Sequence, residues 1–108
     1  MKAIHLTAYG SPAQNLRMVE VSEPNAPSAS EALVRMEYAP IDYSDLLLAN
    51  GVYFLNPKLP FVIGGEGAGI VEAIGPEVTS VKVGDRVSPS RLRSGGSARY
   101  SGASAVLP

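Results

Sequence analysis

Tyr53 is the residue whose side chain and position could serve a reaction most directly. It lies in a proline-bounded loop over residues 51–60, just after a short helix signal. A tyrosine hydroxyl can donate a hydrogen bond to an enolate or carbonyl oxygen on which negative charge develops. The alternative is a tyrosine that only packs, because an aromatic ring buries a large apolar area whether or not its hydroxyl reacts. The residue alone leaves both interpretations open.

Closely spaced glycines form a second candidate, because glycine-rich loops can approach phosphate groups. They are Gly64, Gly65, Gly67 and Gly69. A dinucleotide fingerprint needs Gly-x-Gly-x-x-Gly between a strand and a helix, and the third glycine is missing, with Ile70 and Glu72 at the two positions that would complete it. The residues that follow, 70–74, predict a strand. We therefore expect a tight β turn with close backbone packing at these glycines.

Acidic side chains and the single histidine define which metal chemistry the chain could support. Asp42, Asp45 and Glu66 could form a carboxylate cluster, although the alternative is that they are solvated cap and turn residues. The only histidine, His5, falls in a predicted strand, and the chain has no cysteine. This set cannot supply the nitrogen and sulfur ligands of a conventional zinc site. We expect no metal site.

Length and composition set the class of protein. The 108 residues fit one domain, and 45% hydrophobic with 18% charged residues is ordinary for a globular protein. A net charge of −1 gives no electrostatic surface for nucleic acid. No apolar run approaches the roughly 18–20 residues of a membrane span, and the start is too polar for a signal peptide. We therefore expect a cytoplasmic protein without membrane contact, and the 11 glycines and 9 prolines favour a turn-rich β fold.

The elements that must position these residues are mostly short strands. Alternation of apolar and polar residues, or a short apolar run between turn residues, predicts strands over 2–7, 16–21, 32–39, 61–63 and 70–74. Residues 81–87 predict two short β pieces around Gly84-Asp85. The serine- and glycine-rich tail predicts only strand fragments, at 99–100 and 105–107.

One helix interrupts the predicted strands. Asp42 or Ser44 can cap its first turn by accepting a hydrogen bond from a free backbone N–H, and Asp45 places negative charge where the helix dipole favours it. The apolar run 46–48 follows, and Gly51 is suited to end the helix in a left-handed conformation. A helix of about two turns is held by packing rather than by intrinsic propensity.

The order of the motifs along the chain is more specific than any one of them. The motifs are Met1-Lys2-Ala3-Ile4, Tyr38-Ala39-Pro40-Ile41, Asp42-Tyr43-Ser44-Asp45-Leu46, Gly51-Val52-Tyr53, Ile63-Gly64-Gly65-Glu66-Gly67-Ala68-Gly69-Ile70-Val71 and Val83-Gly84-Asp85-Arg86-Val87. This order resembles the N-terminal, GroES-like catalytic segment of the medium-chain dehydrogenase/reductase superfamily, and within it the zinc-free quinone oxidoreductases and mitochondrial-type enoyl thioester reductases. The resemblance implies a mainly β fold, a GroES-like partial β-barrel with one or two short helices. Residues 1–87 would form the alcohol dehydrogenase N-terminal domain, and 88–108 a weakly patterned segment that could complete the barrel.

The resemblance also assigns roles to site residues. Zinc-dependent relatives carry a cysteine where this chain has Asp42 and a histidine where it has Gly65, so only Glu66 remains of that zinc set. Zinc-free relatives usually carry asparagine at position 42, and Asp42 differs from it by an added charge and a lost donor. The resemblance places Asp42 and Tyr43 beside the nicotinamide of the cofactor. It places Tyr53 in the nicotinamide pocket, where enoyl thioester reductases use the tyrosine of this loop in catalysis.

Cofactor, reaction and partner follow from the same resemblance. It implies NADPH as the cofactor and hydride transfer to a quinone or to the β-carbon of an enoyl thioester. Relatives continue into a Rossmann domain, whereas this chain has no βαβ glycine fingerprint for the pyrophosphate. We therefore expect weak NADPH binding by this chain alone, and either a Rossmann-domain partner chain or a homo-oligomer formed through an exposed sheet edge. The alternative is a truncated, non-enzymatic β scaffold or partner-binding module, and whether the chain is an enzyme stays open.

Overall fold

The computed structural model of the protein describes residues 1–88, 99–101 and 104–107. Its elements in chain order are β1 (Lys2–Leu6), α1 (Pro12–Asn15), β2 (Leu16–Glu20), β3 (Ala32–Tyr38), α2 (Tyr43–Ala49), β4 (Phe61–Val62), β5 (Ala68–Ile74), β6 (Arg86–Val87), β7 (Arg99–Ser101) and β8 (Ser104–Leu107). Strands dominate and both helices are short, so the predicted mainly β fold is confirmed. Among the described residues, no helix has the length and apolar character needed to cross a membrane.

The strands form two antiparallel sheets. One has the strand order β2-β1-β4 and the other the order β6-β5-β3-β8-β7. In the first sheet β1 pairs along its whole length with β2, from Lys2 with Glu20 to Leu6 with Leu16, while β4 pairs only with the end of β1. Among the described strands neither sheet closes on itself, which fits a partial barrel. β7 and β8 confirm the two strand fragments predicted in the tail, and the rest of 89–108 lies outside the described residues.

Two hydrophobic clusters form the core of the described part. The first belongs to the five-stranded sheet and contains Val34 of β3 and Val71 of β5, which are both almost fully buried. The second joins β1 to α2 through Leu6 and Leu48. The alternation predicted for β3 holds around Val34, which is buried while its neighbour Arg35 is exposed, but not at the end of the strand, where Tyr38 is 72% exposed after a register shift. The second cluster is the part of the core that supports the candidate site.

Two segments differ from the prediction. The short helix α1 was not predicted, because four residues without apolar periodicity give no helix signal, although Pro12 suits the first helical position. Of the two β pieces expected around Gly84, only β6 is a strand, and the piece before the glycine is wrong. The backbone N–H of Lys82 donates a hydrogen bond to Asp85 Oδ2 at 3.0 Å, and Gly84 has a φ angle of +94°. These features close a turn, which prevents a strand there.

Candidate functional site

The N-terminal end of α2 is fixed by its own acidic residues. Asp42 is the N-cap residue, so of the two predicted caps the structure uses this one. Asp45 Oδ2 accepts a hydrogen bond from the Asp42 backbone N–H at 2.9 Å, and the two residues form a capping box. The acidic pair therefore has a structural role at the start of α2, in agreement with the cap alternative.

The C-terminal end of α2 is closed by Gly51. Its φ angle is +76°, the left-handed conformation predicted for it. The N–H of Gly51 donates to the carbonyl of Leu48, and the N–H of Val52 donates to the carbonyl of Leu47, each at 3.0 Å. These bonds satisfy carbonyls at the helix end and fix the direction in which the chain leaves α2 toward Tyr53.

Tyr53 lies on the second hydrophobic cluster, near the start of the loop that follows α2. Its side chain is half-buried and packs against the cluster that contains Leu6 and Leu48. The centroid of its ring is 4.4 Å from that of Phe54. Within the part of the chain that the structure describes, the Tyr53 hydroxyl makes no hydrogen bond. Tyr53 is thus a packing residue whose hydroxyl is available to a ligand, and its catalytic role stays a prediction.

Tyr43 lies at the opposite end of α2, beside Asp42. It is the first helical residue, its side chain is 72% exposed, and Asp42 is exposed as well. A helix rises about 1.5 Å per residue, so the 7 residues of α2 separate this pair from the Tyr53 loop by about 10 Å along the axis. The structure places Asp42 and Tyr43 next to each other at the start of α2, and it places Tyr53 in the loop after the end of α2. The three predicted site residues therefore lie at the two ends of this helix.

The glycine-rich stretch packs against β3. A Cβ added at Gly69 would collide with the carbonyl oxygen of Arg35. One added at Gly67 would collide with the side chain of Met36 and would lie 2.8 Å from the carbonyl oxygen of Tyr38. The predicted close backbone packing is confirmed, and β5 runs through Gly69 instead of starting after it.

A cleft of about 300 Å³ lies between the two sheets and was not predicted from the sequence. The apolar side chains that line it are Ala3, Ile4, Met18, Met36, Ala39, Val62 and Ile63. Lys2 and Glu66 supply its charged groups, whereas none of the three predicted site residues lines it. Met18 of β2 pairs with Ile4 of β1, and both side chains are exposed, at 71% and 48%.

Of the two alternatives for the three acidic residues, the carboxylate cluster does not form among the described residues. Asp42 and Asp45 share the start of α2, whereas Glu66 is exposed at the cleft. Within residues 1–88 and the described strands of the tail, no three His, Cys, Asp or Glu side chains are grouped closely enough to hold a metal ion. His5 is a half-buried residue of β1 and pairs with Arg17 and with β4.

The domain has two open antiparallel sheets, a capped helix between β3 and β4, and a strand β5 whose glycine packs closely on β3. This combination defines a GroES-like domain of the dehydrogenase type. The chain matches the alcohol dehydrogenase GroES-like domain over residues 28–105. It belongs to this family, within the medium-chain dehydrogenase/reductase superfamily, which confirms the predicted resemblance.

Three relatives show how far the similarity extends. The mitochondrial enoyl-[acyl-carrier-protein] reductase of Caenorhabditis elegans is 42% identical over 83 residues, which are 77% of this chain and 24% of that enzyme. The quinone oxidoreductase structure of Pseudomonas syringae pv. tomato has a TM-score of 0.80 at 36% identity, over 99% of this chain and 31% of that chain. The Escherichia coli quinone oxidoreductase complexed with NADPH has a TM-score of 0.75 at 32% identity, over 83% of this chain and 27% of that chain. This chain therefore spans about a quarter to a third of the length of these relatives.

Proposed function

We propose that this chain is the catalytic-domain segment of an NADPH-dependent, zinc-independent oxidoreductase that reduces quinones or α,β-unsaturated carbonyl compounds and thioesters. The observation that carries the proposal is the Tyr53 hydroxyl, which is held on a hydrophobic cluster and has no hydrogen-bond partner among the described residues. The names of the relatives support the reaction class, because they include quinone oxidoreductases and enoyl reductases, and one structure is complexed with NADPH.

Tyr53 would act on the oxygen of the substrate. NADPH, when bound, would supply a hydride to a quinone or to the β-carbon of an enoyl thioester, and negative charge would then develop on the carbonyl oxygen. The Tyr53 hydroxyl donates a hydrogen bond to that oxygen and so lowers the barrier. Because the ring packs on Leu48 and its neighbours, the donor is oriented before the reaction and loses little freedom during it.

The described residues fit the nicotinamide end of NADPH but not its phosphates. The exposed ring of Tyr43 and the hydroxyl of Tyr53 can contact a flat nicotinamide ring and its carboxamide. The start of α2 does not suit a phosphate, because Asp42 and Asp45 place negative charge at the helix end where anions otherwise bind. We therefore propose that a Rossmann domain, supplied by a partner chain, holds the pyrophosphate, with association of copies of this chain as the second arrangement.

The ligand atoms that the chain offers support the proposed zinc independence. Asp42 and Gly65 occupy the positions where zinc-dependent relatives carry cysteine and histidine, and glycine has no side-chain ligand. Glu66 alone provides one carboxylate at the cleft, whereas a zinc site needs three or four protein ligands. The reaction would therefore rely on Tyr53 to stabilise the negative oxygen.

A second candidate function is a non-enzymatic module that binds a protein partner. Apolar side chains at both ends of α2 are strongly exposed, with Ile41 at 88%, Tyr43 at 72% and Phe54 at 74%. Exposed apolar side chains that form a contiguous patch often mark an interaction surface. In this hypothesis the face along α2 contacts a partner and no hydride transfer occurs.

A chimeric enzyme separates the two functions. This chain replaces the matched segment of the Escherichia coli quinone oxidoreductase, NADPH binding is measured by calorimetry, and NADPH oxidation is followed with quinones and enoyl thioesters. We expect the chimera to bind NADPH and to reduce at least one substrate class, and the chain alone to bind NADPH weakly. Tyr53→Phe should lower kcat about a hundredfold, the lower range for a lost proton donor, with KM within about twofold.

Tyr38→Phe is the matched control for Tyr53→Phe. Tyr38 is exposed and its side chain makes no hydrogen bond to any described residue, so its hydroxyl should be dispensable. Equal kcat values for the two variants would show that the Tyr53 hydroxyl takes no part in catalysis. A chimera that binds NADPH but reduces neither substrate class would favour the partner-binding module.

A further inference from the structure

Tyr9 connects the chain before α1 to the loop that carries Tyr53. Its hydroxyl donates a hydrogen bond to the carbonyl oxygen of Pro57 at 2.5 Å, across 48 residues of sequence. Among the described residues this is the only hydrogen bond made by residues 53–60. Beyond Val52, the polar attachment of this loop to the other described residues therefore depends on one side chain.

Tyr9 also contacts the start of the same loop. A Cβ built at Gly51 would lie 3.1 Å from Tyr9 Cβ and 3.3 Å from Tyr9 Cγ, so the tyrosine packs directly on the glycine backbone. The next residue, Gly10, donates its N–H to the carbonyl of Ala49 at the end of α2, at 2.8 Å. Tyr9 thus contacts the loop at its start and again at Pro57, and Tyr53 lies between the two contacts.

We infer that Tyr9 is a positioning residue for the reaction, acting through the loop that carries Tyr53. The inference rests on the proposed function, in which the Tyr53 hydroxyl contacts the substrate. A donor of this kind must stay within about 0.5 Å of its productive position, and a displacement of about 1 Å can lower the rate about a hundredfold. Tyr9 limits such displacement, because its bond to Pro57 divides the loop into two shorter segments with fewer conformations.

The first test measures the order of the loop in the chain itself. Tyr9→Phe removes the hydroxyl and keeps the ring on Gly51, and Tyr38→Phe is the matched control. We expect the backbone amide NMR order parameters of residues 53–56, 58 and 59 to fall from about 0.85 to below about 0.6 in Tyr9→Phe. Those of α2 should stay unchanged in both variants, which shows that the domain remains folded. Unchanged order in the loop of Tyr9→Phe would overturn the inference.

The second test uses the kinetics of the chimera. Tyr9→Phe should lower kcat about tenfold and leave KM within about twofold, because it misplaces the donor without removing a substrate contact. Tyr9→Phe combined with Tyr53→Phe should be no slower than Tyr53→Phe alone, since the first residue acts through the second. A loss that adds in full to that of Tyr53→Phe would show an independent role and overturn the inference.

The two tests also separate failure of the inference from failure of the proposed function. If Tyr53→Phe leaves kcat unchanged, the proposed role of Tyr53 is wrong, and the order parameters still decide whether Tyr9 holds the loop. If Tyr53→Phe lowers kcat but Tyr9→Phe changes neither loop order nor kcat, the proposed function stands and the positioning role of Tyr9 is wrong.

Discussion

Replacing Gly69 with alanine should destabilise the domain more than replacing any other glycine of the 64–69 stretch. Gly69 is buried in β5 and pairs with Met36 of β3. An added Cβ would collide with the carbonyl oxygen of Arg35 and would lie 2.9 Å from the Cα atom of Met36. Both neighbours are backbone atoms of the central strand, so they cannot move aside as a flexible side chain could.

The size of the loss follows from two opposing terms. Overpacking a close-packed core costs about 1–3 kcal/mol, and rigid backbone neighbours favour the upper end of that range. Replacing a glycine in a strand interior with alanine raises the free energy of unfolding by roughly 0.5–1 kcal/mol, because the unfolded chain then has less backbone entropy. We therefore expect Gly69→Ala to lower the free energy of unfolding by about 2 kcal/mol, which for a domain of this size lowers Tm by about 8–16 °C.

Gly65→Ala is the matched control, because it makes the same chemical change in the same stretch. A Cβ at Gly65 meets no atom within 4 Å, so its stability should stay unchanged or rise by up to about 1 kcal/mol. Urea unfolding followed by circular dichroism gives both free energies. A Gly69→Ala domain within about 0.5 kcal/mol of the parent would refute the packing interpretation of these glycines.

Two further predictions concern the ends of α2. Gly51→Ala should lower the free energy of unfolding by about 2 kcal/mol in the same assay, because its φ of +76° is strained for alanine and its Cβ presses on Tyr9. Gly84→Ala, with a φ of +94° and no neighbour within 4 Å, should lose only about 1 kcal/mol, and equal losses would contradict the Tyr9 contact. Asp42→Asn keeps a good cap and removes a negative charge, so in the chimera it should tighten NADPH binding by about threefold in calorimetry. Unchanged binding would contradict a place for Asp42 beside the nicotinamide.

The β scaffold could be predicted because its signals are local. In β3 the alternation places Val34 inside and Arg35 outside, and a period of two residues is visible in the sequence itself. The start of α2 could be predicted for the same reason, since Asp42 offers a cap and Asp45 follows in the first turn. The missed features lack such a signal. α1 has no apolar periodicity. The segment before Gly84 has strand-forming residues, but the hydrogen bond from the Lys82 N–H to the Asp85 side chain closes a turn there.

Local sequence signals do not predict which residues support the candidate site. The loop around Tyr53 could be assigned from the order of motifs. Its contact with Tyr9 could not, because Tyr9 and Pro57 lie 48 positions apart and no period or motif connects them. The contact follows from sheet register. β1 and β4 are antiparallel with Leu6 opposite Phe61, so the residues after β1 must lie beside the residues before β4. Because β4 has only two residues, its sequence pattern could not specify that register, and a residue that holds the site was therefore visible only in the structure.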